Sequence, residues 1–300
     1  MHTMQVFVHI PKTGGSSLRD QLSACAASHN QKHAYGAEVN FLKLSAEEQA
    51  KYMVVQSHMG YGIHLQPGFP VHRRNCTKYI TVTDRAVRRA WSQYQFFNNN
   101  RAALGQEPMS PADFYRTKQG SNQPDHPTRW PTDPWSFNGS MSWQLCCWQD
   151  HQHEAPLAGP GASDGAIGGV RRPFEIDPSC PKTSAERGSC AIKRLCNDYA
   201  IAGVRENLDT TIELLGHLMQ CSSIVNAKHR TNTRARRLRF GPSEFEMLHG
   251  ILTGEGAALD VVVGDVAVGL EAGDNERRCD LFHPGMTHPS VDKLAPPNVK

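Results

Sequence analysis

The chain has 300 residues and 33.2 kDa, room for one large α/β domain or two small ones, and with 39% hydrophobic and 20% charged residues it has the composition of a folded protein. Lys plus Arg number 32 against 29 for Asp plus Glu, a formal charge of +3 that argues against a dedicated nucleic-acid binder. No stretch approaches the roughly 18 uncharged apolar residues of a membrane span, and no signal peptide is expected, because the sequence opens directly into a strand-like run. Residues 4–10 (MQVFVHI) read as a buried strand bounded by Pro11. Lys12-Thr13-Gly14-Gly15 is a turn, after which Ser16 or Ser17 caps a helix running to about Ala27. Ser45 and Glu48 form a capping box that opens a short helix to about Lys51. Residues 52–56 and 79–83 (YITVT) are two more buried strands, and 86–98 is helical.

Between about 100 and 190 the pattern dissolves into an irregular insertion rich in Pro, Gly, Ser, His and Trp. A short helix is expected there after Ser110-Pro111. Order returns with a helix near 191–198, a strand over 199–204 and an amphipathic helix after Arg205. In that helix Leu208, Ile212, Leu215 and Met219 share one face. A basic loop over 228–239 precedes another helix starting near Ser243, and residues 283–300, with four prolines, form a loose tail. This grammar predicts an α/β fold: a P-loop-like, doubly wound parallel sheet flanked by helices, in a single domain over 1–282.

The most informative segment is His9-Ile10-Pro11-Lys12-Thr13-Gly14-Gly15-Ser16-Ser17. A strand ends, two glycines turn the backbone, and a helix begins with amide N–H groups directed back into the turn, which is the arrangement of an anion site. Lys12 adds a full charge, and Thr13, Ser16 and Ser17 add hydroxyls. The loop is not a Walker A motif, in which the lysine follows the second glycine. It resembles instead the 5′-phosphosulfate loop of sulfotransferases that use 3′-phosphoadenosine 5′-phosphosulfate (PAPS), the Golgi carbohydrate sulfotransferases in particular.

That resemblance implies a second anion site for the donor's 3′-phosphate, which the family builds from Arg-Asp-Pro-Val-x-Arg-x-x-Ser. Here residues 84–92 read DRAVRRAWS. Val87, Arg89 and Ser92 match, so Ser92 carries over as a 3′-phosphate contact. The leading Arg is replaced by Asp84, and Arg85 is expected to turn in for it. Residues 54–61 (VVQSHMGY) are similar to the strand and His turn of the heparan sulfate and uronyl 2-O-sulfotransferases. His58 aligns with their catalytic base, and Gln56 replaces their other histidine. A base at a strand's carboxyl end also falls where α/β sheets bind ligands. His64 and His9 are the weaker candidates. Residues 197–208 (NDYAIAGVRENL) look like the strand and helix entry of the same enzymes, and the loop around Arg230 looks like the one that closes over their nucleotide. Cys180 and Cys190 flank a hydrophilic loop where those enzymes carry a disulfide, and the resemblance pairs them; adjacent Cys146 and Cys147 stay unassigned.

The resemblance therefore implies an O-sulfotransferase with PAPS as donor substrate, Pro11 to Ser17, Arg85, Ser92 and Arg230 holding the nucleotide, Lys12 and His58 catalytic, and no metal. The expected partner is an anionic or neutral glycan acceptor, such as one containing uronic acid, with Arg73, Arg74, Arg171, Arg172 and the arginines of 234–239 as candidate contacts. No nucleic-acid partner is expected, membrane association would come only through an anchor outside this sequence, and a homo-oligomer is left open. Two alternatives remain: a nucleotide- or glycan-binding protein on the same fold that has lost turnover through Asp84, and an ATP-dependent phosphotransferase. Nine cysteines and the sequons Asn75-Cys76-Thr77 and Asn138-Gly139-Ser140 point to the Golgi lumen or secretory pathway, with the cytoplasm as the alternative. Residues 150–154 (DHQHE) read as a polar loop and not a metal site.

Overall fold

A computed structural model describes residues 3–35, 38–58, 60–114, 140–147, 149–150, 175–176, 180–221 and 224. Arg230 with the 228–239 loop, Arg171 and Arg172, residues 151–154, the sequon at Asn138, the helix near Ser243 and the tail over 283–300 lie outside the described residues.

Five parallel strands form the sheet: β1 (Gln5–Val8), β2 (Lys32–Tyr35), β3 (Tyr52–Ser57), β4 (Lys78–Thr83) and, after two short strands β5 (Gln149–Asp150) and β6 (Glu175–Ile176), β7 (Tyr199–Val204). Their order is β2-β3-β1-β4-β7, and β5 pairs with β6 in a separate antiparallel ribbon. Parallel strands need crossovers, and these carry α1 (Gly15–Ser28), α2 (Glu38–Lys43), α3 (Ala46–Ala50), α4 (Ala86–Ala103), α5 (Ser140–Cys146) and α6 (Ser184–Asn197), with α7 (Leu208–Leu218) following β7. The α/β class and the parallel sheet are as expected. Strand β1 is central, with β3 and β4 on either side. The chain leaves β1 toward one edge and returns across it to reach β4, so the order reverses beside β1, the position at which open α/β sheets bind ligands.

Both faces of the sheet are covered, which is why its strands read as nearly continuous apolar runs. On one face Phe7, Val54, Ile80 and Val82 pack against Leu18 and Leu22 of α1 and the Leu208, Ile212 and Leu215 stripe of α7. On the other, Val6, Val8 and Val55 meet Tyr61, Ile63 and Phe69 of the β3–β4 connection, Met141 and Leu145 of α5, and Ala191, Ile192 and Leu195 of α6.

Several expectations are corrected. Neither Ser16 nor Ser17 caps α1: Gly14 is the cap residue, with a left-handed φ of 96°, and no side chain accepts there. Helix α6 begins seven residues earlier than expected, at Ser184, because Thr183 and Glu186 form a reciprocal capping box. Cys180 and Cys190 do not pair with each other: Cys147 bonds Cys180 and Cys146 bonds Cys190, fastening α5 to the start and middle of α6. A third disulfide, Cys25–Cys221, joins α1 to the chain just beyond α7. These disulfides among the described residues fit maturation in an oxidising environment. No helix among the described residues is long and apolar enough to cross a membrane. The part of the 100–190 region that is described includes α5 and a single turn over 111–114, where the Ser110 hydroxyl accepts from the Asp113 amide.

Candidate active site at the carboxyl edge of the sheet

The turn after β1 doubles back tightly. Lys12 and Gly14 both take left-handed angles (φ 72° and 96°), and the Thr13 hydroxyl, wholly buried, donates to the Ile10 carbonyl at 2.8 Å. Two long side chains pin the turn from outside. Arg89 Nε donates to the Pro11 carbonyl (3.1 Å) and Arg205 Nη1 to the Lys12 carbonyl (3.2 Å). A left-handed conformation at a lysine is strained, and these bonds help hold it. The Lys12 ammonium lies 4.2 Å from the centre of the Phe96 ring. Arg89, Ser92 and Phe96 are spaced three and four residues apart on α4, so the half-buried Ser92 lies on the helix face whose neighbours touch the loop. Ser16 is exposed and Ser17 half-buried on the first turn of α1, where the Ser17 amide donates to the Gly14 carbonyl at 3.1 Å.

His58 leaves the end of β3, and its Nδ1 lies 2.6 Å from the His9 carbonyl. A carbonyl accepts only, so Nδ1 carries the proton and in the neutral ring Nε2 is the basic nitrogen. The His9 ring stacks on His58 (4.4 Å between centroids), and its Nδ1 accepts from the Gln56 amide at 2.9 Å. Its other side fills the space beside Gly15, where an added Cβ would fall 2.0 Å from the ring. Gly15 is therefore needed for close approach: His9 is wedged between the loop's helix and the His58 ring. Burial depresses the pKa of both histidines, strongly for His9, where His58, Arg19 and Lys12 lower it further. From below, Gln144 of α5 donates to the His58 carbonyl at 2.8 Å, so the helix held by two disulfides supports the turn that carries His58.

The 84–92 segment shows how the carboxylate of Asp84 is accommodated. Asp84 is buried and turned inward: it accepts the Arg85 amide (2.8 Å) and Arg205 Nη1 (3.1 Å), with Arg88 Nε at 3.5 Å. Arg85 and Arg88 stand half-exposed, and both meet one oxygen, Glu206 Oε1, at 3.4 and 2.6 Å. Burial raises the Asp84 pKa to about 6 against the opposing pull of Arg205 and Arg88. Lys12 is lowered to about 8 by burial and then by Arg205, and among the described residues no carboxylate pairs with it. Lys12, Arg85, Arg88 and Arg205 thus face two carboxylates, Asp84 and Glu206, among the described residues.

Other candidates are placed elsewhere. His64 Nδ1 bonds the Tyr79 hydroxyl at 2.5 Å among the core tyrosines. Arg73 is buried and donates to the Tyr52 and Ala50 carbonyls (2.8 and 3.0 Å), so it is structural and not a glycan contact. A shallow open depression of about 650 Å³ beside Cys180, Thr183 and Glu186 includes none of the loop residues.

Sequence reading missed Arg205, Glu206, Phe96 and the role of His9. Arg205 had one available signal, its position directly after a strand that ends at the same edge as β1 and β4. No family model matches the chain, and no curated protein is detectably similar to it.

Proposed function

We propose that the chain is a sulfotransferase that moves a sulfuryl group from PAPS to a hydroxyl of a carbohydrate acceptor, in a secretory compartment. The observation that carries this reading is the loop at the end of β1: a half-buried lysine with depressed pKa, no carboxylate paired with it among the described residues, and the first turn of α1 beside it. Such a pocket is stabilised by an anion, and the lysine precedes the glycines as in PAPS enzymes. The donor supplies an activated sulfuryl group on a nucleotide carrying a second phosphate.

The chain's own residues divide the remaining work. Lys12 and the α1 amides neutralise charge that develops on the departing phosphate oxygen. His58, with its proton fixed on Nδ1 by the His9 carbonyl, takes the acceptor's proton at Nε2. Its depressed pKa keeps it neutral, and so basic, at pH 7. Arg85, Arg88 and Ser92 would read the second phosphate. Asp84 does not bar that phosphate, since its carboxylate is turned inward onto Arg205.

Calorimetric titration with adenosine 3′,5′-bisphosphate, with adenosine 5′-monophosphate as control, tests the reading. Binding of the bisphosphate at least about tenfold tighter is expected, the gain of one charge-assisted phosphate contact. Equal affinity removes the 3′-phosphate site and with it the PAPS assignment.

A further inference from the structure

We propose that Glu206 acts as an internal surrogate for the ligand's second phosphate: its carboxylate occupies the Arg85–Arg88 pair in the ligand-free protein and is displaced when a phosphate monoester binds there. The inference rests on the functional reading above but concerns a residue that reading does not use. Two guanidinium groups, from the cap residue and the first turn of α4, converge on a single oxygen, Arg88 Nη2 at 2.6 Å and Arg85 Nε at 3.4 Å. A carboxylate with one oxygen serving two arginines leaves several of their N–H donors unused, whereas a dianionic phosphate offers three oxygens in the geometry that paired guanidiniums fit.

The two acids of the cluster differ in their freedom to leave. The Asp84 side chain is wholly buried and holds the Arg85 amide and Arg205 as well. The Glu206 side chain is 26% exposed and rides on the single turn Arg205–Asn207 that links β7 to α7. Rotation of the Glu206 side chain into solvent uncovers Arg85 and Arg88 while Asp84 keeps Arg205 on the Lys12 carbonyl. The carboxylate therefore taxes any ligand that enters the pair, and a nucleotide lacking the second phosphate leaves Glu206 where it is. Glu206 is in this sense a specificity element for the dianion.

The test compares wild type with Glu206→Gln, titrating each with adenosine 3′,5′-bisphosphate, adenosine 5′-monophosphate and inorganic phosphate. Glu206→Gln keeps the shape and removes the competing charge, so the bisphosphate and inorganic phosphate should bind about tenfold tighter. The monophosphate should change by less than about threefold, the general effect of one nearby charge in salt. Unchanged or weaker bisphosphate and phosphate binding overturns the surrogate role, as does equal tightening of both nucleotides. If wild type binds the two nucleotides equally, the PAPS reading fails on its own. The surrogate role is then decided by inorganic phosphate, whose tightening in Glu206→Gln must disappear in Glu206→Gln/Arg88→Gln. Circular dichroism melting of each variant confirms a folded chain, and Glu206→Ala, which should tighten phosphate in the same direction, guards against an effect peculiar to glutamine.

Discussion

Two arginine–carboxylate networks in this protein are built from similar parts and do opposite things. On the face of the sheet covered by α6, Arg194 donates to Asp198 (2.5 Å) and to the Tyr61 hydroxyl (3.2 Å) and lies over the Tyr61 ring. One cation meets one carboxylate, and burial pushes the Tyr61 phenol up to about 12, so it stays neutral. At the carboxyl edge, Lys12, Arg85, Arg88 and Arg205 face Asp84 and Glu206 as the only carboxylates among the described residues. The first network neutralises itself and serves the fold. The second leaves cationic charge over beside a lysine whose pKa falls to about 8, by burial first and then by Arg205, and the proposed anion site would use that surplus.

The largest effects should separate the two networks by what they damage. Lys12→Ala should lower turnover by at least about 10³-fold and His58→Ala by about 10² to 10⁴-fold in a sulfuryl-transfer assay, with circular dichroism unchanged. Full activity in His58→Ala removes the base assignment. Asp198→Asn should do the reverse, leaving turnover intact and costing about 1 kcal/mol in urea unfolding, the scale of a half-exposed pair. Turnover that falls with Asp198→Asn would mean that the two networks are not separate.

Next in size is Gly15→Ala. Its Cβ would fall 2.0 Å from the His9 ring, and His9 is backed by the His58 ring, so neither can yield without the other. Overpacking of this kind costs about 1–3 kcal/mol, read as a lower urea midpoint at constant slope. A variant as stable as the parent would show that His9 has another place to go and does not couple the loop to His58.

A smaller effect of opposite sign is expected in the self-neutralised region. The Tyr199 hydroxyl is buried there without a hydrogen-bond partner among the described residues, and burial holds its pKa well above the ordinary phenol value. Tyr199→Phe removes an unsatisfied polar atom and keeps the ring against Tyr61 and Tyr79, so stability should hold or rise by up to about 1 kcal/mol. A loss larger than that in urea unfolding would reveal a partner for the hydroxyl.

Much of this was legible in the sequence, for reasons that can be stated residue by residue. The strand at Tyr199–Val204 and the stripe from Leu208 to Leu215 were read correctly because period and burial coincide there. The turn at Lys12 to Gly15 was legible because adjacent glycines permit the left-handed angle that Gly14 takes ahead of the helix. Strand β2 was missed: KHAY has no apolar run, and only pairing with β3 makes it a strand. The disulfides were mispaired because cysteine pairing depends on which helices meet, and α5 meets α6 only in the folded chain. Asp84 looked like a defect in a phosphate site. Its acceptor role depends on Arg205, 121 residues away, and no local pattern carries that.

The smallest effect, and the most direct test of the leftover charge, is a fraction of a proton. Lys12 titrates near pH 8 in the folded, ligand-free protein and at 10.5 when unperturbed. Between those values the unfolded chain holds a proton that the folded chain has lost, so stability should rise with pH across that window as far as Lys12 contributes. A phosphate bound beside Lys12 restores its charge and reverses the shift. At pH 8 half the population must then gain a proton, so binding of adenosine 3′,5′-bisphosphate should take up about half a proton. Asp84, with a pKa of about 6, and the two histidines, with values below their ordinary one, are already deprotonated there and contribute little. Calorimetry in two buffers of different ionisation enthalpy reads the uptake as the slope of apparent enthalpy. Lys12→Arg, which stays charged at every accessible pH, should bind with no uptake at all. Zero uptake in wild type would place the bound anion away from Lys12, and the contrast between the two networks would then lose its basis.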